Sequence, residues 1–474
     1  MPIPVISPAQ MREWEQATWA TGQTEADVIA RAGKRIARRA RKLTRPGDTI
    51  LFLAGKGHNG DDTRAAYKQL DGRRAELLEM LLPDTDLLPL EFKLRERPAL
   101  IVDGLFGIGL NRPLNGDWIK IIQAVNAAGI PILSVDVPSG LNAETGESYG
   151  AVIQATVTLT LGAPKTGLLT PAGVGPAGRL EIAEDIGLVP CPFHNLVPGP
   201  LQAIVPEDFA NWPPMRPVLG HKGTFGHLVV VAGSLGYHGA AVLATRAAQR
   251  AQPGLVSLYT PESAYNPVAA QLQAAMVHPW ATNFNVPDHC TALLAGPGLA
   301  AADLPADIRP TLRRIWRGNP RAMIMDASAL AMVVSEPSPK NSLRVLTPHP
   351  GEAAELLRST TENVQANRLA SLREISRRYD NCWVVLKGHQ TLIGRSEGDV
   401  FVNLSGNPHL AQGGAGDVLA GFIAGLLAQP ALAAQPGLTL RYAVWAHGAA
   451  ADRLQATRPN WIIEDLAAEI GTVR

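Results

Sequence analysis

Short apolar runs alternate with amphipathic stretches along most of the chain, and this alternation predicts its elements. In the first half, Thr49–Ala54, Ala99–Val102 and Ile130–Val135 read as buried strands. Helices are expected after Ser7, near Thr63–Leu70 and over Trp118–Ala128. Ser7 can cap the first of these, with Pro8 at the opening position and Gln10 completing a capping box. Met11 and Trp14 begin its apolar face, and Gly22 can end it. Strands alternating with helices argue for a parallel sheet with crossover helices.

The second half repeats the pattern. Strands are expected over His227–Ala232, Leu255–Thr260, Thr291–Ala295, Ala322–Asp326, Arg344–Thr347 and Trp383–Lys387. Helices are expected near Gly239–Ala251, Glu352–Leu357 and Asp417–Leu427. Between the halves, prolines at 190, 192, 198, 200, 206, 213, 214 and 217 exclude a helix or a central strand. This seam reads as a linker, giving an α/β protein of two domains, residues 1–200 and 201–474.

Composition narrows the class. With 46% hydrophobic residues among 474, the chain can bury a sizeable core and is not a disordered polymer. Lys and Arg (43) balance Asp and Glu (42), so no global field draws nucleic acid or an anionic membrane. The basic stretch from Lys34 to Lys42 is interrupted by Ile36, Ala37 and Ala40 and reads as the wet face of a helix. The start lacks a signal-peptide pattern, and no apolar run reaches the ~18 residues of a membrane span. Three scattered cysteines without a CxxC pair fit a reducing cytoplasm rather than a disulfide scaffold or a thiolate zinc site.

In open parallel sheets ligands sit beyond the carboxyl ends of strands, and the candidate chemistry lies there. Gly413-Gly414-Ala415-Gly416-Asp417 runs into the apolar stripe Val418, Leu419, Phe422, Ile423, Leu426 and Leu427. Glycines opening a buried helix expose free amides at its positive end, a cradle for phosphates. A carboxylate among phosphates would be repelled unless chemistry needs it, so Asp417 reads as a general base; the alternative is a capping residue. His349, in Thr347-Pro-His-Pro-Gly-Glu352, stands where a strand meets its helix, in a ligand-facing or a structural position. Lys387-Gly388, with Thr391, ends another strand, where the lysine can hold a phosphate or simply be solvated. Gly296-Pro297-Gly298 forms a further tight loop on the same edge.

In this order, together with His221-Lys-Gly and Gly233-Ser234, these motifs resemble the ADP- or ATP-dependent NAD(P)H-hydrate dehydratases of the ribokinase-like superfamily, over roughly residues 201–474. The resemblance implies a ribokinase-like α/β domain that phosphorylates the hydroxyl of hydrated NADH or NADPH; loss of phosphate then restores the dihydronicotinamide. It implies Asp417 as base and the 413–416 amides as a phosphoryl clamp. It also implies ADP or ATP, with magnesium, held by Lys387, Gly388, Thr391, Asn407, Gly413, Gly414, Ala415 and Gly416, with the hydrate facing Ala241, Gly298, His349 and Asp417. Three positions depart from the family: Ser328 replaces a second aspartate, Ala300 a glycine, and Gln252-Pro253-Gly254 a Gly-Ala-Gly stretch.

In the first half, Gly55-Lys-Gly-His58-Asn59-Gly60 follows a strand as a GxGxxG loop, by itself a weak dinucleotide signature. Asp103 and Asp136 end two further strands, with Gly107–Pro113 and Ser139-Gly140 behind them; singly, each aspartate could be a turn or cap residue. Together these loops resemble the NAD(P)H-hydrate epimerases, over roughly residues 1–200. The resemblance implies a Rossmann-like parallel sheet and interconversion of the R and S hydrates. Asn59, Asp103 and Ser139 would hold a potassium ion, for which hard oxygen ligands suit. Asp136 would be the acid/base residue. The hydrate would lie against His58, Asn59, Gly60, Asp61, Asp62, Gly107, Ile108, Gly109, Leu110, Asn111, Arg112, Pro113 and Asp136. The family's NNGGDG loop is here His58-Asn59-Gly60-Asp61-Asp62-Thr63. Asp61 is therefore expected to place a charge beside a diphosphate ligand and to resist a positive φ, slowing the epimerase.

The implied whole is a cytoplasmic bifunctional repair enzyme, expected as a homo-oligomer, acting on NADH hydrate and NADPH hydrate with no nucleic-acid or membrane partner. A ribokinase-like small-molecule kinase and a non-catalytic nucleotide-binding protein are the alternatives.

Overall fold

A computed structural model describes residues 2–193, 201–302 and 304–472. The chain divides into two compact units, Ile3–Val197 and Pro198–Arg474 together with Met1–Pro2.

The first unit is built on six parallel strands in the order 74–79, 49–54, 100–104, 132–135, 157–161, 179–183. Apolar layers cover both faces, one gathering Ile36, Phe52 and Val102, the other Leu51, Ile101 and Ile122. Burial on both sides explains why the central strands are nearly continuous apolar runs. The edge strand Arg74–Glu79 carries charge and escaped the pattern for that reason. Ser7 and Gln10 form the expected reciprocal cap on the helix Pro8–Trp19. The helix expected from Thr63 begins five residues earlier, spanning His58–Gln69.

The strands of the second unit follow the order 201–204, 400–403, 392–394, 383–386, 344–346, 322–325, 292–295, 227–231, 255–260, 276–279. All pair in parallel except those on either side of 392–394. Helices His238–Arg250, Ala415–Leu427 and Pro436–Thr457 share the main core, where Val418, Phe422 and Ile423 are withdrawn from solvent. The proline seam needs a correction. Leu201–Ile204 is a strand paired with Val400–Asn403, because Pro200 and Pro206 bracket it and leave five residues with amides to donate. Residues 194–200 of that seam lie outside the described residues.

Parallel register brings the strand ends of each sheet to one edge. In the second unit Val231 pairs with Ala295, Ala295 with Met325, and Met325 with Leu346. The loops at Gly233, Gly296, Asp326 and Thr347 therefore open side by side.

Candidate active sites

In the second unit, Gly414 adopts φ +95° as N-cap of the helix Ala415–Leu427. This conformation suits glycine, and a Cβ there would lie 2.6 Å from Leu243. The turn closes with Ala415 N donating to Gln412 O and Val418 N to Gly414 O. The amides of Gly416 and Asp417 stand in the first helical turn, where no intrahelical carbonyl is available. Asp417 is thus a largely buried carboxyl beside free amides. Burial and the Asp326 carboxylate raise its pKa to about 7, against the opposing pull of Lys387.

Lys387 leaves the strand Trp383–Leu386 and points its amine at Asp326 Oδ1, 2.7 Å away, with Glu352 Oε2 at 3.7 Å. Thr347 Oγ1 donates to the same Asp326 oxygen at 2.6 Å. Burial works against the Lys387 charge, yet Asp326 and Glu352 outweigh it and its pKa is raised. Asp326, which the sequence reading gave only as the end of a strand, anchors this cluster. Its signal was the same strand-end position that singled out Lys387.

His349 caps the helix Pro350–Leu357, its Nδ1 accepting from Gly351 and Glu352, while its side chain remains 57% exposed. Gly298 offers its carbonyl to Ser234 Oγ at 2.6 Å, which ties the 296–298 loop to the 233–237 loop. Thr391 Oγ1 donates to Gly388 O, and Arg368, another residue not foreseen, donates to the Leu386 carbonyl below that turn. Gly413 precedes the helix Ala415–Leu427, Gly414 caps it, and Ala415 and Gly416 stand in its first turn. One expectation is corrected here. Ala241 cannot present its methyl to a hydrate, because that side chain is fully buried in the core of the helix His238–Arg250. Asn407 is held by neighbours, its Nδ2 donating to Asp452 and its Oδ1 accepting from His409 N, with one N–H of the amide left over.

In the first unit, a cavity of about 1100 Å³ opens at the strand ends, lined among others by His58, Asn59, Asp62, residues 107–113 and Asp136. Close approach builds its floor. A Cβ on Gly55 would lie 2.0 Å from Leu105 O, and one on Gly60 2.0 Å from Gly55 O, so neither position tolerates a side chain. Gly60 accordingly supports the cavity from beneath instead of lining it.

Asp136 follows the strand Ile132–Val135 at φ +63°, which turns its carboxylate toward Thr160, Leu161 and Lys165. Its Oδ1 accepts from Leu161 N at 3.0 Å, from Thr160 Oγ1 at 3.2 Å, and from the fully buried Lys165 amine. Lys165 was missed by the sequence reading, although Ala163-Pro164-Lys165-Thr166-Gly167 ends a strand much as Lys387-Gly388 does. Asp103 is buried; its Oδ1 accepts from Ser139 Oγ at 2.6 Å, and its Oδ2 from Ser134 Oγ and Ser139 N. The Phe106 carbonyl lies 2.8 Å from Asn59 Nδ2 and 3.3 Å from Ser139 Oγ, so Asn59, Asp103 and Ser139 do converge.

The expectation for Asp61 is overturned. It lies within the helix His58–Gln69 with no positive φ, and its carboxylate pairs with Arg64 at 2.9 Å, outside the cavity lining. Arg64 also holds Glu79 and the Gly55 carbonyl. Of these two neighbouring aspartates, Asp62 is the one that faces the cavity.

Two family models match the chain: NAD(P)H-hydrate dehydratase over residues 228–471, and YjeF-related protein N-terminus over residues 77–167. Proteins called bifunctional NAD(P)H-hydrate repair enzyme Nnr align along nearly the whole length. That of Gloeobacter violaceus is 33% identical, covering 95% of this chain and 94% of its own. That of Escherichia coli K12 is 32% identical, covering 92% and 86%. A crystal structure of the ADP/ATP-dependent NAD(P)H-hydrate dehydratase from Bacillus subtilis with ATP and magnesium is 29% identical over 55% of this chain and 92% of its own, with a TM-score of 0.49.

Proposed function

The chain belongs to the family of bifunctional NAD(P)H-hydrate repair enzymes, and on that premise we propose how its two halves divide the repair of hydrated NADH and NADPH. Residues 201–474 carry ADP-dependent dehydration of the S hydrate, and residues 1–200 interconvert the R and S hydrates. Three unpaired cysteines suit work in a reducing cytoplasm.

The observation that carries the dehydratase is Asp417, a buried carboxyl with pKa about 7 in the first turn of a helix whose free amides point to the same place. A base with that pKa is poised near neutral pH. It takes the proton of the hydrate hydroxyl as the oxygen bonds to the terminal phosphorus of ADP and AMP leaves. The amides at the helix N-terminus hold the phosphoryl oxygens where charge develops. Phosphate then departs from the ring carbon, a neighbouring ring proton is lost, and the double bond returns. The Lys387–Asp326 pair fixes the ammonium beside this cradle.

Magnesium would neutralise charge on the phosphates. Among the described residues no group of three His, Cys, Asp or Glu side chains could hold a metal, so phosphate and water oxygens would dominate its shell. Potassium would find oxygens of the hard kind it prefers in the first unit, at the Phe106 carbonyl, Ser139 Oγ and Asp103, with Asn59 bonded to that carbonyl through its Nδ2. Held there, it would add positive potential beside the cavity that Asp136 lines.

The test is recovery of 340 nm absorbance from mixed NADH hydrates with ADP and magnesium. Full recovery, abolished by Asp417→Asn, supports both activities and the assigned base. Recovery that halts at the S fraction leaves the dehydratase and removes the epimerase. Absence of recovery with ADP and with ATP alike overturns the reading.

A further inference from the structure

Among the described residues of the first unit, Asp62 is the buried carboxyl without a partner. It projects from the first turns of the helix His58–Gln69 into the cavity that Asp136 also lines, and it is only 8% exposed. Among the described residues its carboxyl has neither a hydrogen-bond donor nor an ion pair. Its neighbour Asp61 pairs with Arg64, and Asp136 receives three donors including Lys165. A buried, unpaired carboxylate is costly, whereas a buried carboxylic acid facing a cavity holds a proton ready to give.

Resting on the epimerase reading above, we propose that Asp62 is a second catalytic residue of that site, working as the acid opposite the Asp136 base. Asp62 protonates the hydroxyl on the hydrate ring. The carbon–oxygen bond breaks with its electron pair on the departing water, and the ring nitrogen lone pair forms the C=N⁺ bond. Water then adds to the other face of that carbon, the C=N⁺ pair returns to nitrogen, and the surplus proton of the added water passes to Asp136. The net change is inversion at one carbon, with one proton moved from Asp62 to Asp136. The reverse direction begins from that protonation state, as an isomerisation requires.

The electrostatics agree with the geometry. Burial first, then the Asp136, Asp61 and Glu15 carboxylates, raise the Asp62 pKa well above the usual carboxylate range, and Lys165 only partly opposes them. Asp136 is held instead by the fully buried Lys165 amine, with Thr160 Oγ1 and Leu161 N also donating to it. Surroundings that differ this far suit one carboxyl to give a proton and the other to take one.

The experiment uses the full chain and pure R hydrate, following conversion to S by chromatography without ADP. Dehydration of S hydrate by the same preparation serves as the reference for protein amount. Asp62→Asn is expected to lower kcat for epimerisation by about 10²–10⁴-fold while KM moves less than about threefold. Asp62→Glu, which restores an acid, is expected to recover part of that loss. Wild-type kcat in Asp62→Asn overturns the assignment. So do equal losses in the Asn and Glu variants with an unchanged melting curve, since they point to shape instead of proton transfer. If the unaltered chain converts no R hydrate while dehydrating S hydrate, the epimerase reading itself has failed, and the Asp62 assignment with it.

Discussion

The Lys165 ammonium is bonded to Asp136 Oδ1 with the lysine fully withdrawn from solvent and the aspartate side chain 10% exposed. The amine also donates to the Leu161 carbonyl at 2.8 Å. The base proposed for the N-terminal site is thus oriented by a buried lysine. Removing one member of a buried ion pair leaves the other uncompensated, at a cost of about 3–5 kcal/mol. Lys165→Met is expected to lower the melting temperature of the first unit and to abolish R-to-S conversion. Calorimetry of the full chain, read beside the epimerase rate, checks both.

The dehydratase should switch on with rising pH. Asp417 acts as a base only when ionised, and its folded pKa is about 7, above its ordinary 3.8. The kcat/KM for S hydrate is therefore expected to rise roughly tenfold per pH unit below about 7 and to level off above it. Stability runs the other way. A carboxyl with a raised folded pKa favours the fold while protonated, and that advantage is lost between pH 4 and 7 as ionisation becomes costly. Asp417→Asn should eliminate dehydration yet melt higher than the unaltered chain at pH 8, by about 4 kcal/mol at most. An equal or lower melting temperature would contradict the burial argument.

The sequence showed the loops that matter but not the phase of the helix that carries them. Placing the helix start near Thr63 left 58–62 as a loop in which both Asp61 and Asp62 faced the hydrate. With the start at His58, Asn59, Asp62, Thr63 and Ala66 fall on the buried face, while Asp61 turns outward with Arg64. Successive helical residues point about 100° apart, so a five-residue error in the start decides which aspartate meets the ligand. Strand-end residues were legible because apolar runs end abruptly, as at Asp103, Asp136 and Lys387. Their partners were not. Asp326, Lys165 and Arg368 gain meaning only when the fold sets them against residues distant in the chain.

Asp61→Gly restores the family's glycine, and the structure gives no reason for it to accelerate the epimerase. The Asp61 carboxylate is 44% exposed on Arg64 and outside the cavity lining. Glycine inside a helix costs about 0.5–1 kcal/mol, and the acidic first-turn residue and its ion pair are lost as well. The expected result is an R-to-S rate within about twofold of the unaltered chain and a small drop in melting temperature. A large gain in rate would mean that Asp61 reaches the substrate after all.

Lys387 can serve the nucleotide in two ways, and the pH profile separates them. As a phosphate ligand alone, its loss would raise KM for ADP and leave the pH midpoint of dehydration in place. The structure assigns it a further effect, since its ammonium holds down the Asp417 pKa that burial, Asp326 and Glu352 push up. Lys387→Met removes the one cation bonded to Asp326 and leaves three carboxyls, Asp326, Glu352 and Asp417, to repel one another. The Asp417 pKa must then climb further, because ionising it places a second or third negative charge in a site with no compensating ammonium. The midpoint of kcat/KM is expected to move above 7 by about one pH unit or more, so the variant should lose roughly tenfold at pH 7 and regain part of it at pH 9. Measuring the profile at saturating ADP removes the contribution of weakened nucleotide binding. A midpoint unchanged from the native enzyme would reduce Lys387 to a phosphate ligand, and would place the control of the Asp417 proton with burial and the neighbouring carboxylates alone.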